Sequence, residues 1–558
     1  MPDHETVRRT PDGISIKAYR GDGAVLLTFD LAEDLTPHLA GFALKCTPPN
    51  GQPFYVRNRL NFMTGVTSET TPHERVWTPS DQAPLQKFRW VHFPQEIIPR
   101  SYAYEVSAMY FANDGLRRGP SASVSVELLP GGSELEHFEM GFTRGYLSSQ
   151  AYADKFNNAR IEPEDRSIDF DTTPYEEQYQ WLGFHARRLI FDFLKESLED
   201  HEITIDVFAY DLDEPDFVRY LRGHGNRLRV FLDDASLHTE PGALEPEARA
   251  LLEESAGKEN VKTGHFSRFA HNKVIIQKRN GTPAKVLTGS ANFSVRGLYA
   301  QANNVLIFDG PVTAKLYEDA FDQAFKSTRG FSRSSIAKQW FDVLGAGLPR
   351  SLVSFAPHTS SSISLDRVSE AIEGANSSVM YAVMGLGGTG DVLTHLKALG
   401  ARDDIFSYGV AQSTQGLSLF RPEDTKGIFT SFAFLSEHIP SPFKEEWSGG
   451  RGQVIYHKFV VVDFNDADPV VFTGSSNLAA GGEEDNGDNL LAIYDRSVAT
   501  AYAVEAIRLV DHYHFRAVMK SATSADPLVL KTDEAQWWKP YYDENDLKYK
   551  ERLLFSKG

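Results

Sequence analysis

The stretch AHNKVIIQK at 270–278 holds His271 and Lys273 two residues apart, and IYHKFVVVD at 455–463 holds Tyr456 and Lys458 at the same spacing. An imidazole or a phenol can attack, donate or accept a proton, and an ammonium beside it neutralises the charge that such a step develops. Each stretch is followed by a TGS turn and an asparagine: Ser290 with Asn292 in the first, Ser475 with Asn477 in the second. Ring, ammonium and amide together suit an anion such as a tetrahedral phosphate. A single offset of 185 residues relates Lys273 to Lys458, Gly289 to Gly474, Asn292 to Asn477 and Asn304 to Asn489. Four coincidences at one offset mark an internal repeat, and two copies of a half-site predict one site between them.

Strands must hold these groups. The β-branched runs after each lysine predict buried strands, on which residues two apart share a face. His271 then lies with Lys273 and Tyr456 with Lys458, while His457, one residue along, points to the opposite side unless a bulge intervenes. Around them, "YQWLGFHARRLIFDFLKESLED" predicts a helix, and "ITIDVFAYDL", "FVRYLRG" and "RLRVFLDD" follow as strand, helix and strand. "RVSEAIEGA", "SVMYAVMGL", "DVLTHLKALG" and "DIFSYGVAQS" repeat that order, which predicts two α/β units with sheets covered on both faces.

The chain of 558 residues exceeds one hydrophobic core. Short alternating strands before residue 130, punctuated by Gly, Pro and Asn, predict an N-terminal all-β sandwich. Four segments follow from these readings: a β-sandwich over 1–130, α/β units over 140–330 and 331–520, and a C-terminal extension over 521–558 docked on the α/β module. With 41% hydrophobic and 24% charged residues the composition is that of a globular protein. No apolar run approaches the roughly 20 residues of a membrane span and no secretory signal opens the chain, so a cytoplasmic location is expected. The lone Cys46 excludes an intramolecular disulfide and reads as a core residue. A net charge of −19 argues against non-specific nucleic-acid binding.

The pattern HxK, four residues and Asp, then GSxN, resembles the phospholipase D superfamily over about residues 140–520; the strand rhythm of the N-terminal region more loosely resembles a fibronectin type III module. In the superfamily two such motifs pair across a pseudo-twofold axis. The resemblance implies a phosphohistidine formed on His271, a leaving group protonated from the other motif, and Lys273, Lys458, Asn292 and Asn477 around the phosphate. It implies neither metal nor other cofactor. Ser290 and Ser475 become contacts of second rank. Two positions depart from the pattern. The motif Asp of the first copy is Lys278, whereas Asp463 keeps it as a supporting group in the second. The second His is Tyr456, with His457 the one imidazole near enough to replace it.

A phenol near pKa 10 is a poorer acid at neutral pH than an imidazolium near 6.5, and the neighbouring lysines are expected to lower it. The leading expectation is a phosphodiesterase, with a phospholipid or other small phosphodiester favoured over nucleic acid by the charge. The alternatives are a nuclease of the same superfamily and a catalytically silent phosphate-binding or interaction protein. Both half-sites lie in one chain, so a monomer can complete the site. The acidic stretches 211–216 and 483–488 read as solvated loops, with Asp211 and Asp213 at a strand end that could border the site. Arg144, Tyr146 and Tyr152 read as a packed connector, His185 as structural, and "QWWKPYYDEN" as a docked C-terminal segment.

Overall fold

The computed structural model describes residues 5–9, 12–70, 74–94, 97–145, 149–412, 416–420, 428–431 and 455–556. Tyr146 lies outside them. The alternating N-terminal runs form two antiparallel sheets. One joins Glu5–Arg9, Ile14–Arg20, Val25–Leu31 and Arg89–His92; the other joins Gly115–Glu127, Ser101–Ala112, Leu39–Thr47 and Phe54–Tyr55. Ile16, Leu27 and Phe29 of the first sheet share one buried cluster with Phe42, Leu44 and Val106 of the second, as alternation on each strand requires. Cys46 is buried in the same cluster. Trp537 and Tyr541 complete it, with Trp537 Nε1 donating to Leu39 O at 2.9 Å. The C-terminal segment therefore packs on the N-terminal sheets as well as on the α/β part, whose core it enters at Phe555.

Seven strands form the third sheet: β1 (Phe138–Phe142), β2 (Ile203–Ala209), β3 (Leu228–Asp233), β4 (Val261–Gly264), β5 (Val274–Arg279), β6 (Thr282–Gly289) and β7 (Asn304–Asp309). Their order is β1-β7-β6-β5-β2-β3-β4. Nine form the fourth: β8 (Phe341–Val343), β9 (Arg350–Ala356), β10 (Ser378–Val383), β11 (Phe406–Gln412), β12 (Gly416–Phe420), β13 (Ile428–Ser431), β14 (Phe459–Val462), β15 (Val470–Gly474) and β16 (Asp488–Tyr494). Their order is β8-β9-β16-β15-β14-β10-β11-β12-β13. From β1 to β3 and from β9 to β11 the sheets run alike, antiparallel through four pairings and then parallel. They part at the next strand, where β4 joins parallel and β12 antiparallel.

Both sheets are mixed, because β5 and β6 in one, and β14 and β15 in the other, pair antiparallel across a short connection without a helix. Asn280 and Gly281 both take positive φ in the first connection, as an Asn-Gly hairpin turn demands. The expected helices form at Glu176–Glu199, Pro215–His224, Ser362–Glu373 and Asp391–Ala398. No helix among the described residues is long and apolar enough to cross a membrane.

Candidate active site

β5 and β14 begin at Val274 and Phe459, so the ring and lysine residues sit on extended chain just ahead of each strand. Side-chain alternation still holds there. Asn272 and His457 turn the other way: Asn489 Nδ2 donates to Asn272 Oδ1 at 2.8 Å, and Asn304 Nδ2 meets His457 Nδ1 at 3.4 Å. Each contact is the other with the units exchanged. Thr288 Oγ1 to Asn489 Oδ1 (3.2 Å) and Thr473 Oγ1 to Asn304 Oδ1 (3.5 Å) repeat the exchange. These reciprocal contacts bring the half-sites together, with His271 Nε2 3.3 Å from the Tyr456 hydroxyl.

The TGS turns need their glycines. Gly289 and Gly474 have φ of 146° and 138°, and a Cβ would fall 2.3 Å from Asn304 O and 2.5 Å from Asn489 O. That close approach lets the Ser290 and Ser475 amides donate to the same carbonyls at 3.0 and 3.1 Å. Both serine hydroxyls accept from the facing asparagine amides, at 3.0 and 2.9 Å. Ser290 and Ser475 thus fasten the turns that carry Asn292 and Asn477. The Oδ1 atoms of Asn292 and Asn477 are buried and take no hydrogen bond among the described residues.

Behind His271 stands a carboxylate from the other unit: Nδ1 lies 2.7 Å from Asp488 Oδ1. Donation from Nδ1 fixes the tautomer and leaves the Nε2 lone pair facing Tyr456. Burial, with Lys273 and Lys458 adding to it, pushes the imidazole well below its ordinary pKa, so it is neutral at pH 7. Burial raises Asp488 to about 7 against the pull of the lysines. Burial also lowers Lys273 to about 8, and drives Lys458 well below its ordinary value with Lys273 adding to the effect. The phenol of Tyr456 moves up rather than down, because burial and the Asp211 carboxylate outweigh Asn292 and Arg296. The expectation that lysines lower it fails because burial of the phenol and the Asp211 carboxylate decide the direction.

Each ammonium folds back: Lys273 Nζ donates to His271 O, and Lys458 Nζ to Tyr456 O at 2.9 Å. Lys458 Nζ lies 3.4 Å from the Tyr456 ring centroid, and Lys273 Nζ 4.6 Å from that of Tyr210. Tyr210 meets the His271 ring nearly edge-on, centroids 4.6 Å apart. A chain of polar groups forms the remaining wall. Asn292 Nδ2 donates to Asp211 Oδ2; Asp211 Oδ1 lies 2.8 Å from His238 Nε2; His238 Nδ1 lies 2.8 Å from Asp233 Oδ2. The other oxygen of Asp233 accepts the Ala270 amide at 2.5 Å, so one chain ties Asn292 to the backbone just before His271.

Several expectations need correction. His457 does not join the site: its Nε2 lies 3.0 Å from Glu505 Oε1 on the far side of the segment. The acidic stretches are not solvated loops, because Glu214, Glu483 and Asp488 are buried and Asp211 faces the site. Asp463 lies away from the reacting groups. With φ of 53° it accepts the backbone amides of Asn376, Ser377 and Ser378 and so fixes the start of β10. At the equivalent position β5 simply continues, and Lys278 pairs with buried Asp206 at 2.6 Å. His185 is structural, held by Asp22, and Arg144 packs over Trp181 and Phe184. Sequence reasoning missed Tyr210, Asp233, His238 and Asp488. Asp488 alone carried a usable signal, since it precedes the aligned Asn489.

Residues 194–325 match the family model described as cardiolipin synthase, PLD-like domain. The structure is similar to a phospholipase D family member, Nuc, from Salmonella typhimurium (20% identity, 24% of this chain and 86% of that one, TM-score 0.20). It is also similar to phosphatidylserine synthase from Haemophilus influenzae (12% identity, 67% and 93%, TM-score 0.39). A third likeness is to polyphosphate kinase from Porphyromonas gingivalis (12% identity, 66% of this chain, TM-score 0.36), of which the chain spans 52%. No curated protein matches the chain. The match makes residues 194–325 of this chain a PLD-like domain.

Proposed function

We propose that the protein cleaves a phosphodiester through a phosphohistidine on His271, with Tyr456 as the acid. The observation that carries this reading is the neutral His271 held by Asp488, with its Nε2 lone pair accepting from the Tyr456 hydroxyl. In the first step the Nε2 lone pair forms the N–P bond as the P–O bond to the leaving group breaks. The leaving oxygen takes the Tyr456 proton, and Asp488 stabilises the imidazolium. In the second, water attacks phosphorus, gives its proton to the tyrosinate and returns the electron pair to Nε2. Lys273, Lys458, Asn292 and Asn477 hold the phosphoryl oxygens, and no step calls for a metal or other cofactor. An anionic phosphate between the lysines supplies the charge that favours their protonated forms.

On this reading the α/β units over 140–330 and 331–520 are duplicates related by a pseudo-twofold axis, and a monomer suffices. The N-terminal region over 1–130, as a fibronectin type III-like sandwich, and the 521–558 extension support them. A phospholipid or other small phosphodiester suits the net charge of −19 better than nucleic acid does. Hydrolysis of an activated chromogenic phosphodiester in excess EDTA, with His271→Ala as the comparison, tests the reading. Activity that resists chelation and vanishes in the variant supports it. An inert protein, or a variant equal to the parent, leaves a phosphate-binding fold without catalysis.

A further inference from the structure

We propose that Asp211, His238 and Glu245 bind a divalent transition-metal ion of the zinc class in a cleft beside the phosphate site. One ligand atom from each of the three side chains lies within 4.8 Å of the others. Two ligands at about 2.0–2.2 Å from zinc can stand at most about 4.4 Å apart, so the group closes on an ion after a shift of a few tenths of an ångström.

Each ligand is placed by a different element. Asp211 follows β2, His238 ends the short 3-10 turn Ser236–His238 after β3, and Glu245 opens the helix Glu245–Ala256. His238 Nδ1 is held by Asp233, an outer-shell carboxylate of the kind that orients metal-binding imidazoles and directs Nε2 at the ion. Glu245 supplies an independent observation. Its residue is 7% exposed, and its carboxylate forms no ion pair with a Lys, Arg or His among the described residues. It takes only a 3.4 Å contact from the Leu212 amide and lies against its own backbone N–H. His238 already pairs with Asp211 and Asp233 beside the buried Glu245, and an ion there would add positive charge among the carboxylates. A mixed imidazole and carboxylate set favours zinc-like ions over magnesium or calcium, which prefer oxygen alone.

His238 and Glu245 border a cleft of about 310 Å³, also lined by Asp234, Thr239, Arg249 and Glu253, which gives an ion a path to solvent and room for a water ligand. On binding, the proton shared by His238 Nε2 and Asp211 leaves to solvent and the ion takes its place. Because the other oxygen of Asp211 holds Asn292, the ion would brace a phosphate contact without being a reactant. The inference does not rest on the phosphodiesterase reading, since its test reads bound metal.

The experiment is equilibrium dialysis of the full chain against Zn2+ with elemental analysis, followed by the visible spectrum of the Co2+ form. One ion per chain is expected, with affinity at least tenfold weaker in Glu245→Gln and retained in Asp234→Asn, whose side chain belongs to the cleft but not to the ligand set. Co2+ bands that Zn2+ displaces, and that Glu245→Gln alters, are expected too. His238→Gln serves as a second variant if Glu245→Gln does not fold. Absence of a stoichiometric ion, or ligand variants that bind as the parent does, would overturn the site.

Discussion

The two half-sites share their lysines, turns and asparagines but differ behind the ring. His271 has Asp488 at Nδ1. The position 185 residues before Asp488 is Asn303. Asn303 accepts from Ser290 Oγ at 2.8 Å and donates to Gly297 O at 2.8 Å. An imidazole that attacks phosphorus needs an acceptor at its second nitrogen, to fix the tautomer and carry the developing charge. A phenol has one polar atom and needs no such partner, and a carboxylate left there would be buried without a cation. Tyr456 and Asn303 therefore agree with each other. On the proposed function, the second half-site suits a phenol and is not a histidine site that has lost one residue.

If this division of labour is right, damage to the His271 side has the larger effect. His271→Ala should lower turnover by at least about ten-thousand-fold on every diester, as loss of a nucleophile does, measured by release of a chromogenic alcohol. Asp488→Asn should cost about a thousand-fold by favouring the wrong tautomer. The parent should also lose kcat/KM as pH falls through about 7, because protonation of Asp488 removes the acceptor. It should lose kcat/KM again as pH rises through about 8, where Lys273 gives up its charge. The acid limb should vanish in Asp488→Asn while the alkaline limb stays; an acid limb that persists would assign it to another group.

On the second side the effect depends on the substrate. Tyr456→Phe should lower turnover about a hundred-fold on diesters with alkyl leaving groups and only a few-fold on nitrophenyl esters, which leave without a proton. Equal losses on both would make Tyr456 a positioning residue and not the acid. A free-energy comparison of kcat and kcat/KM for the two ester classes measures the difference.

The strands, the repeat and the paired lysines were legible because burial periodicity and a fixed offset are local properties of a sequence. The direction of His457 was legible for the same reason: alternation put it on the far face, where Glu505 holds it. What meets across the units was not. Asp488 reaches His271 from 217 residues away, and the chain Asp233–His238–Asp211 is assembled from the ends of different strands. The acidic stretches misled because a run of carboxylates resembles a solvated loop until tertiary contacts bury it. The phenol's pKa was misjudged for a related reason, since the sequence shows lysines but not the burial of the phenol or the Asp211 carboxylate that acts on it.

The smallest effect gives the sharpest test of the comparison. Tyr456→His alone should raise turnover on alkyl leaving groups more than on activated ones, but only slightly, because the new imidazole would face Asn303 and lack a carboxylate. Asn303→Asp alone should lower stability, since it buries an acid with no cation beside it. Together the two substitutions recreate the His271–Asp488 arrangement in the other half-site. The double variant should therefore exceed the sum of the singles, by about tenfold in kcat/KM on alkyl esters, or about 1.4 kcal/mol of coupling. A double-mutant cycle read by kcat/KM and by thermal unfolding measures that term. Coupling in both readouts would establish that residues 303 and 456 work as a unit. Simple additivity would mean that Asn303 is only part of the turn, and the coherence of the second half-site would have to be sought elsewhere.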